Sequence, residues 1–193
     1  MVLNNRERRV AALVASASVI TQGQTLSGAN QWSDASSDPL GDAKTARNTI
    51  FASTGGMKPN KLLIGNDVFE ALKIHPDIKA IIQYTERAIV TRQILASIFE
   101  VDEVLVGGVQ TRTSKDGQTD TFTDLWAGVA LFFYSEPRPS LKRASLGYQM
   151  RRQNMRAFRY REDKRNTDVI RVNEEQDEKI VAATLGYLFL SAA

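Results

Sequence analysis

A change of hydrophobic period within residues 60–99 most constrains what this chain can fold into. The segment begins with the apolar run Leu62–Ile64, which Gly65 closes and which has the length of a buried strand. Directly after it, apolar residues recur at the three-four spacing of a packed helix face. These residues are Val68, Phe69, Leu72 and Ile74.

The same segment predicts where its helices begin and end. We expect Asn66 to cap the first helix with its side chain, and Pro76 to end that helix and start another. A third helix is predicted at about 91–99, and a strand follows it at Glu103–Val106. A strand, a cluster of helices and a second strand predict a mixed α/β core, and the fold class is therefore α+β.

The flanking segments extend this core on both sides. Asp38-Pro39 predicts a helix at about 40–53, with Phe51 facing inward and Gly55-Gly56 at its end. A polar hairpin is expected at 110–123, around the turn residues near Gly117. The apolar residues at 125–134 predict a buried strand.

A shift in composition near residue 136 predicts two parts made of discontinuous pieces. One α/β part comprises residues 34–135 with 176–193. A smaller part comprises residues 1–33, which contain an N-terminal helix, with 136–175, which contain strands rich in arginine.

The arginine-rich strands are the strongest candidate for a functional surface. Residues 138–165 contain ten Lys or Arg and two acids, and the pattern alternates at 157–162 and again at 169–174. Alternation predicts one apolar face and one charged face, an arrangement that suits a sheet whose apolar face packs on the N-terminal helix. That charged face could meet the acidic segment 174–179 of another subunit, remain solvated, or make 138–165 a nucleic-acid-binding module.

Composition argues against catalysis. The chain has no cysteine, and its one histidine, His75, precedes a helix-stopping proline with no second histidine to assist it. We therefore predict no catalytic residue, no metal site, no cofactor and no enzymatic activity. The longest apolar runs fall well short of the roughly 18 residues of a membrane span, so no membrane association is expected.

The order of the motifs resembles the major capsid proteins of tailed phages and prophages, which have the Hong Kong 97-type capsid fold. The resemblance runs over nearly the whole chain, from about residue 5, as a collinear series of segments. These are TLSGANQWSD, KPNKLLIGNDVFEALKIHPDI, VDEVLVGG, DLWAGVALFFY, PSLKRASLGY and KIVAATLGYLF.

The resemblance implies an axial domain at 34–135 with 176–193, and part of a peripheral domain in the remainder. It implies a structural coat subunit that assembles with copies of itself into hexamers and pentamers of an icosahedral shell around DNA. Scaffold and portal proteins are expected partners, contact with DNA would be non-specific, and the location would be the virion, after assembly in the bacterial host cytoplasm. The predicted subunit contacts are Arg151, Arg152, Arg156, Arg159, Arg161, Glu174, Glu175, Asp177 and Glu178.

One departure from the family pattern lies at the N-terminus. Members usually carry an N-terminal arm and an extended loop before the end of a long spine helix. Here Met1 lies only a few residues before the predicted spine helix, so the chain is expected to lack both features and to be shortened. Covalent cross-linking through the extended loop is not expected.

Overall fold

The computed structural model describes residues 2–83, 90–115, 117–140 and 142–193, and for residues 2–4 and 153–155 it describes only the backbone. The helices are α1 (Val2–Val14), α2 (Pro39–Thr54), α3 (Asn66–Ile74), α4 (Pro76–Ile82) and α5 (Arg92–Ile98). The strands are β1 (Gly23–Thr25), β2 (Lys61–Gly65), β3 (Glu103–Gly107), β4 (Gln110–Arg112), β5 (Phe122–Asp124), β6 (Ala130–Phe133), β7 (Gly147–Glu162), β8 (Thr167–Ile180) and β9 (Gly186–Leu190). This mixture confirms the predicted α+β class.

Five of these strands form one mixed sheet in the order β1-β9-β6-β2-β3. The outer pairs β1–β9 and β2–β3 are parallel, whereas β6 lies antiparallel to both β2 and β9. The predicted strand at 62–65 is thus β2, and it is flanked by β3 on one side and β6 on the other. Strand β1 brings residues 23–25 into this sheet, beside the C-terminal strand.

Alternation along the strands sends side chains into two separate apolar layers. Leu62 and Ile64 are fully buried on the face covered by helices. Leu63 points to the opposite face and packs with Leu131 and residues of α1. We call the five-stranded sheet, together with α2 to α5, the body.

An aromatic cluster fills the centre of the helix-covered layer. Trp32 lies 5.3 Å from Phe189 between ring centroids, and Phe132 lies 6.2 Å from Phe189. Phe99 stands edge-on to Phe132 at 6.0 Å, an arrangement that aromatic rings prefer. All four residues are fully buried, so this cluster joins the loop before α2 to the middle of the sheet.

The second substructure is a long two-stranded hairpin made of β7 and β8, which we call the arm (residues 147–180). Its strands pair antiparallel from Gly147↔Ile180 to Glu162↔Thr167, with register shifts between Arg151 and Arg156. Asn166, in the turn, has a positive φ of 48°, a conformation that Asn tolerates better than most residues. The turn comprises residues 163–166, and Thr167 is the first residue of β8.

Several local predictions are confirmed by the backbone. Asp38 caps α2 by accepting the Gly41 amide at 2.8 Å, Pro39 is the first helical residue, and Gly55 ends the helix in the left-handed region at φ 71°. Thr91 caps α5, within the helix predicted at about 91–99. The polar hairpin predicted at 110–123 is formed by β4 and β5.

Other local predictions were wrong. Asn66 is the first residue of α3 rather than its cap, and Asp67 instead accepts the Val68 amide. Phe51 and Ile74, which were predicted to face inward, are about half and two-thirds exposed. Both lie near a helix end, where Gly55 or Pro76 turns the chain and leaves the residue beyond the packed face.

Candidate subunit interface

The arm does not have the one apolar and one charged face that alternation in β7 alone predicts. Directly opposed residues of two strands share a face, and the register places Phe158 opposite Arg171 and Arg159 opposite Ile170. Each face of the arm therefore carries both apolar and basic side chains. The prediction of a segregated arm was wrong because β8 places apolar residues, Ile170 and Val172, on the face that carries the arginines of β7.

The distal half of the arm, residues 156–173, exposes large apolar side chains on both faces. Phe158 is 47% exposed and Tyr160 is 52% exposed on one face, and Ile170 is 69% exposed and Val172 is 55% exposed on the other. The predicted packing of an apolar face on the N-terminal helix is wrong, because α1 contacts β8 nearer the root of the arm. Four of the exposed large apolar side chains that the structure describes therefore lie in this half of the arm.

The distal half is also where the excess charge of the chain lies. It contains six Lys or Arg and three Asp or Glu, which accounts for the whole net charge of +3. Arg159 donates to Asp168 at 2.6 Å, and Arg161 lies 3.3 Å from Asp163. These pairs are exposed, and exposed pairs contribute about 0–1 kcal/mol each.

Two of the predicted contact residues, Glu174 and Glu178, are engaged within the chain. Arg6 donates to both carboxylate oxygens of Glu174 at 3.0 and 2.9 Å, and Arg9 reaches Glu178 at 3.3 Å. Only 14% of the Glu174 side chain and 11% of the Glu178 side chain are exposed. Their carboxylates face α1.

The other predicted contact residues lie on the accessible surface of the arm. Arg152 donates to Glu175 at 3.0 Å across the two strands. Asp177 stands opposite the half-exposed Met150. All of the remaining set is exposed, namely Arg151, Arg152, Arg156, Arg159, Arg161, Glu175 and Asp177.

Sequence reasoning missed the contacts that join α1 to the arm and to the body. Besides Arg6 and Arg9, Glu7 accepts the indole N–H of Trp126 at 2.9 Å. The available signal was a pair of arginines on one helix face, together with acids at 174 and 178 on one strand face. Periodicity identifies such faces but does not say which two elements meet.

A charged cluster holds the loop between the body and the arm. Glu136 accepts from Arg143 at 2.5 Å and from the Tyr134 hydroxyl at 3.0 Å. The Arg143 bond is the main cause that lowers the pKa of Glu136 below its ordinary value. The bond to Glu136 raises the pKa of Tyr134. The Tyr148 hydroxyl donates to the Arg143 carbonyl at 2.5 Å, which connects the loop to the start of β7.

The single histidine has a structural position. His75 is buried, its Nδ1 accepts the Asp77 amide at 3.3 Å and caps α4, and its Nε2 lies 3.1 Å from the Ser37 hydroxyl. Among the residues that the structure describes, no group of three or more His, Asp or Glu side chains could hold a metal ion. No described helix is both long enough and apolar enough to cross a membrane.

Comparison with known proteins identifies the family. The model of the family "Phage major capsid protein E" matches residues 19–147, which is more than half of the chain. The chain belongs to the phage major capsid protein E family. This membership confirms the resemblance drawn from the motif order, and it indicates a structural rather than a catalytic role.

Individual phage capsid proteins show the same relationship. The chain is 29% identical over 190 residues to the major capsid protein of Burkholderia phage BcepMu, covering 95% of this chain and 60% of that one. It is 27% identical over 140 residues to the major capsid protein of Pseudomonas phage JBD67, covering 70% and 44%. The chain thus spans about three-fifths of the first relative's length.

A solved structure shares the fold. The crystal structure of a phage-related protein from Bordetella bronchiseptica RB50 superimposes with a TM-score of 0.86 at 25% identity, over 97% of this chain and 63% of that one. None of these relatives is described as a nucleic-acid-binding module. The alternative function for residues 138–165 therefore gains no support from them.

Proposed function

We propose that this chain is the structural coat subunit of a phage or prophage head. In this proposal copies of the chain associate into hexamers and pentamers of an icosahedral shell that encloses DNA, and the chain has no catalytic task. It resides in the virion after assembly in the host cytoplasm. Family membership and the relatives named major capsid protein support this proposal.

The exposure of the distal half of the arm is the single observation that carries the proposal. An isolated two-stranded hairpin is marginally stable in water unless a further strand or a packed face supports it. Phe158 and Tyr160 on one face, and Ile170 on the other, have about half or more of their surface in solvent. A neighbouring subunit that covers these side chains would supply the missing apolar contact.

Charge would determine how neighbours align. In the proposed interface the exposed arginines of one arm face Glu175 and Asp177 of a neighbour, while Glu174 and Glu178 stay with α1 of their own chain. Since each exposed pair contributes about 0–1 kcal/mol, the pairs would set register and keep the contacts reversible. Many such weak contacts become stable together through multivalency, and closed symmetry limits growth of the shell.

Other partners follow from the same role. Scaffold and portal proteins would contact the assembling shell. Packaged DNA would meet the inner surface through contacts that are independent of sequence and weaken as salt rises.

Size exclusion with light scattering, over a range of protein and salt concentrations, tests the proposal when negative-stain images are taken of the largest species. We expect five- or sixfold capsomers, rings or shells from the unaltered chain. Phe158→Asp should abolish them, because it places a charge in the covered patch. Phe122→Asp is the matched control, since Phe122 is 61% exposed but lies in β5, outside the arm. A strict monomer at high concentration, or assembly that survives Phe158→Asp, would overturn the proposal.

A further inference from the structure

Helix α1 connects the arm to the body through neighbouring residues of a single helical turn. Arg6 and Arg9 bond the β8 carboxylates of Glu174 and Glu178. Glu7, next to Arg6 in the chain, accepts the indole N–H of Trp126 at 2.9 Å. Trp126 in turn lies against the body, because a Cβ added at Gly107 would come within 2.3 Å of its ring. The helix is therefore bonded to both substructures at once.

The root of the arm is held by backbone bonds that converge on one residue. The Leu146 amide donates to the Tyr134 carbonyl at 3.0 Å. Its own carbonyl accepts the amides of Val181 at 2.9 Å and Ala182 at 3.2 Å. Leu146 is buried in the second apolar layer with the α1 residues. Leu146 therefore lies where both strands of the arm leave the body, in a position about which the arm could rotate.

An apolar cleft lies between α1, the sheet and the root of the arm. It has a volume of about 400 Å³ and is lined by Leu13, Leu63, Leu105, Phe133 and Ile180, with Arg6 and Glu178 among its polar residues. Tightly packed interiors resist displacement of their elements, whereas this space lets α1 and the arm root shift. The charged contacts and the apolar packing of Leu146 on α1 together hold the arm, and the cleft leaves room for its angle to change once the charged contacts are lost.

We infer that α1 is a charged strap that holds the arm at a defined angle to the sheet, and that the arm swings about Leu146 when Glu174 and Glu178 lose their arginines. The device lies within one chain. It does not depend on the proposed coat function, and it is measured on the monomeric chain.

Electron–electron distance measurements between two spin labels test the strap. The chain has no native cysteine, so Lys44→Cys on the exposed side of α2 and Lys164→Cys in the turn of the arm would carry the labels. We expect one narrow distance distribution for this labelled chain. Adding Glu174→Gln and Glu178→Gln should broaden or split this distribution. These substitutions remove the carboxylates that form ion pairs with Arg6 and Arg9.

Glu175→Gln is the matched control, because Glu175 bonds Arg152 within the arm and not α1. This variant should keep the narrow distribution. Arg6→Gln with Arg9→Gln is a second test from the other side of the contact, since it removes the positive charges that hold both carboxylates, and the distribution should broaden there too. A distribution that stays narrow in both double Gln variants would overturn the inference. If one double variant fails to fold, the other decides.

Discussion

The body and the arm are stabilised by different means. In the body, alternating strands place residues such as Phe132 between the sheet and its helices with no exposed surface. In the arm, apolar residues such as Ile170 face solvent, and the backbone ladder with cross-strand charge pairs maintains the hairpin. The body buries its large aromatic residues within one chain, whereas the distal arm leaves large apolar residues in solvent, where the proposed subunit contact would cover them.

The difference shows that residue type alone does not predict the contribution of a side chain to stability. Phe132 and Phe158 are both phenylalanines on β-strands, but Phe132 is fully buried whereas about half of Phe158 is exposed.

Replacing a body aromatic should have the largest effect. Phe132→Ala removes a ring that contacts Phe99 and Phe189, so we expect a loss of about 3–5 kcal/mol in the free energy of unfolding. Phe158→Ala in the arm should change it by only about 0.5 kcal/mol or less. Urea unfolding of the two variants at low protein concentration makes the comparison, and equal losses would contradict the contrast.

Adding one methyl group where the body packs on Trp126 should cause the second largest loss of stability. A Cβ at Gly107 would approach the Trp126 ring to 2.3 Å, and overpacking typically costs about 1–3 kcal/mol. Gly108→Ala is the neighbouring control, because no heavy atom lies within 4 Å of its added Cβ. Thermal unfolding should separate the two variants. A Gly107→Ala chain as stable as Gly108→Ala would show that Trp126 is not held against the sheet.

Loss of a helix cap should have a smaller effect. Asp38→Ala leaves the Gly41 amide without its side-chain acceptor, and such changes cost about 1 kcal/mol. Asp38→Asn retains an acceptor and should remain close to the unaltered chain. Chemical denaturation of both variants checks the difference, which should vanish if the cap bond does not form.

The smallest expected effect on stability comes from the ion pair in the loop between the two substructures. Arg143 lowers the pKa of Glu136 below its ordinary value of 4.5. The folded state therefore gains from the ionised carboxylate at pH above 4.5, and that gain is lost as pH falls through the lowered folded-state pKa. Arg143→Gln should raise the pKa of Glu136 towards 4.5. An NMR titration of the Glu136 carboxyl carbon measures it, and an unchanged pKa would contradict the assigned cause.

Much of the body could be predicted from sequence because its signals are local. The apolar run before Gly65, the Asp38-Pro39 start of α2 and the Gly55 end each depend on a few adjacent residues. Boundaries were less predictable. The strand expected at 125–134 is only Ala130–Phe133, because Trp126 and Leu125 belong to a turn and pack on the second layer instead.

The arrangement of the arm depended on information that periodicity lacks. The strands were predicted from alternation in 157–162 and 169–174, but the faces follow from the register between them, which pairs Arg159 with Ile170. The partner of Glu174 could not be predicted from a local pattern either, because Arg6 is 168 residues away in the sequence. The predicted two-part division and the predicted subunit contacts stay predictions.

Hydrogen exchange of the unaltered chain, at dilute and at high protein concentration, tests the central claim that the arm is completed by a neighbouring subunit. We predict strong protection of β9 in the body at both concentrations. Protection of residues 156–173 should be weak in the dilute chain and rise with association. Arm amides that are already as protected as β9 in the dilute monomer, or that gain no protection on association, would contradict it.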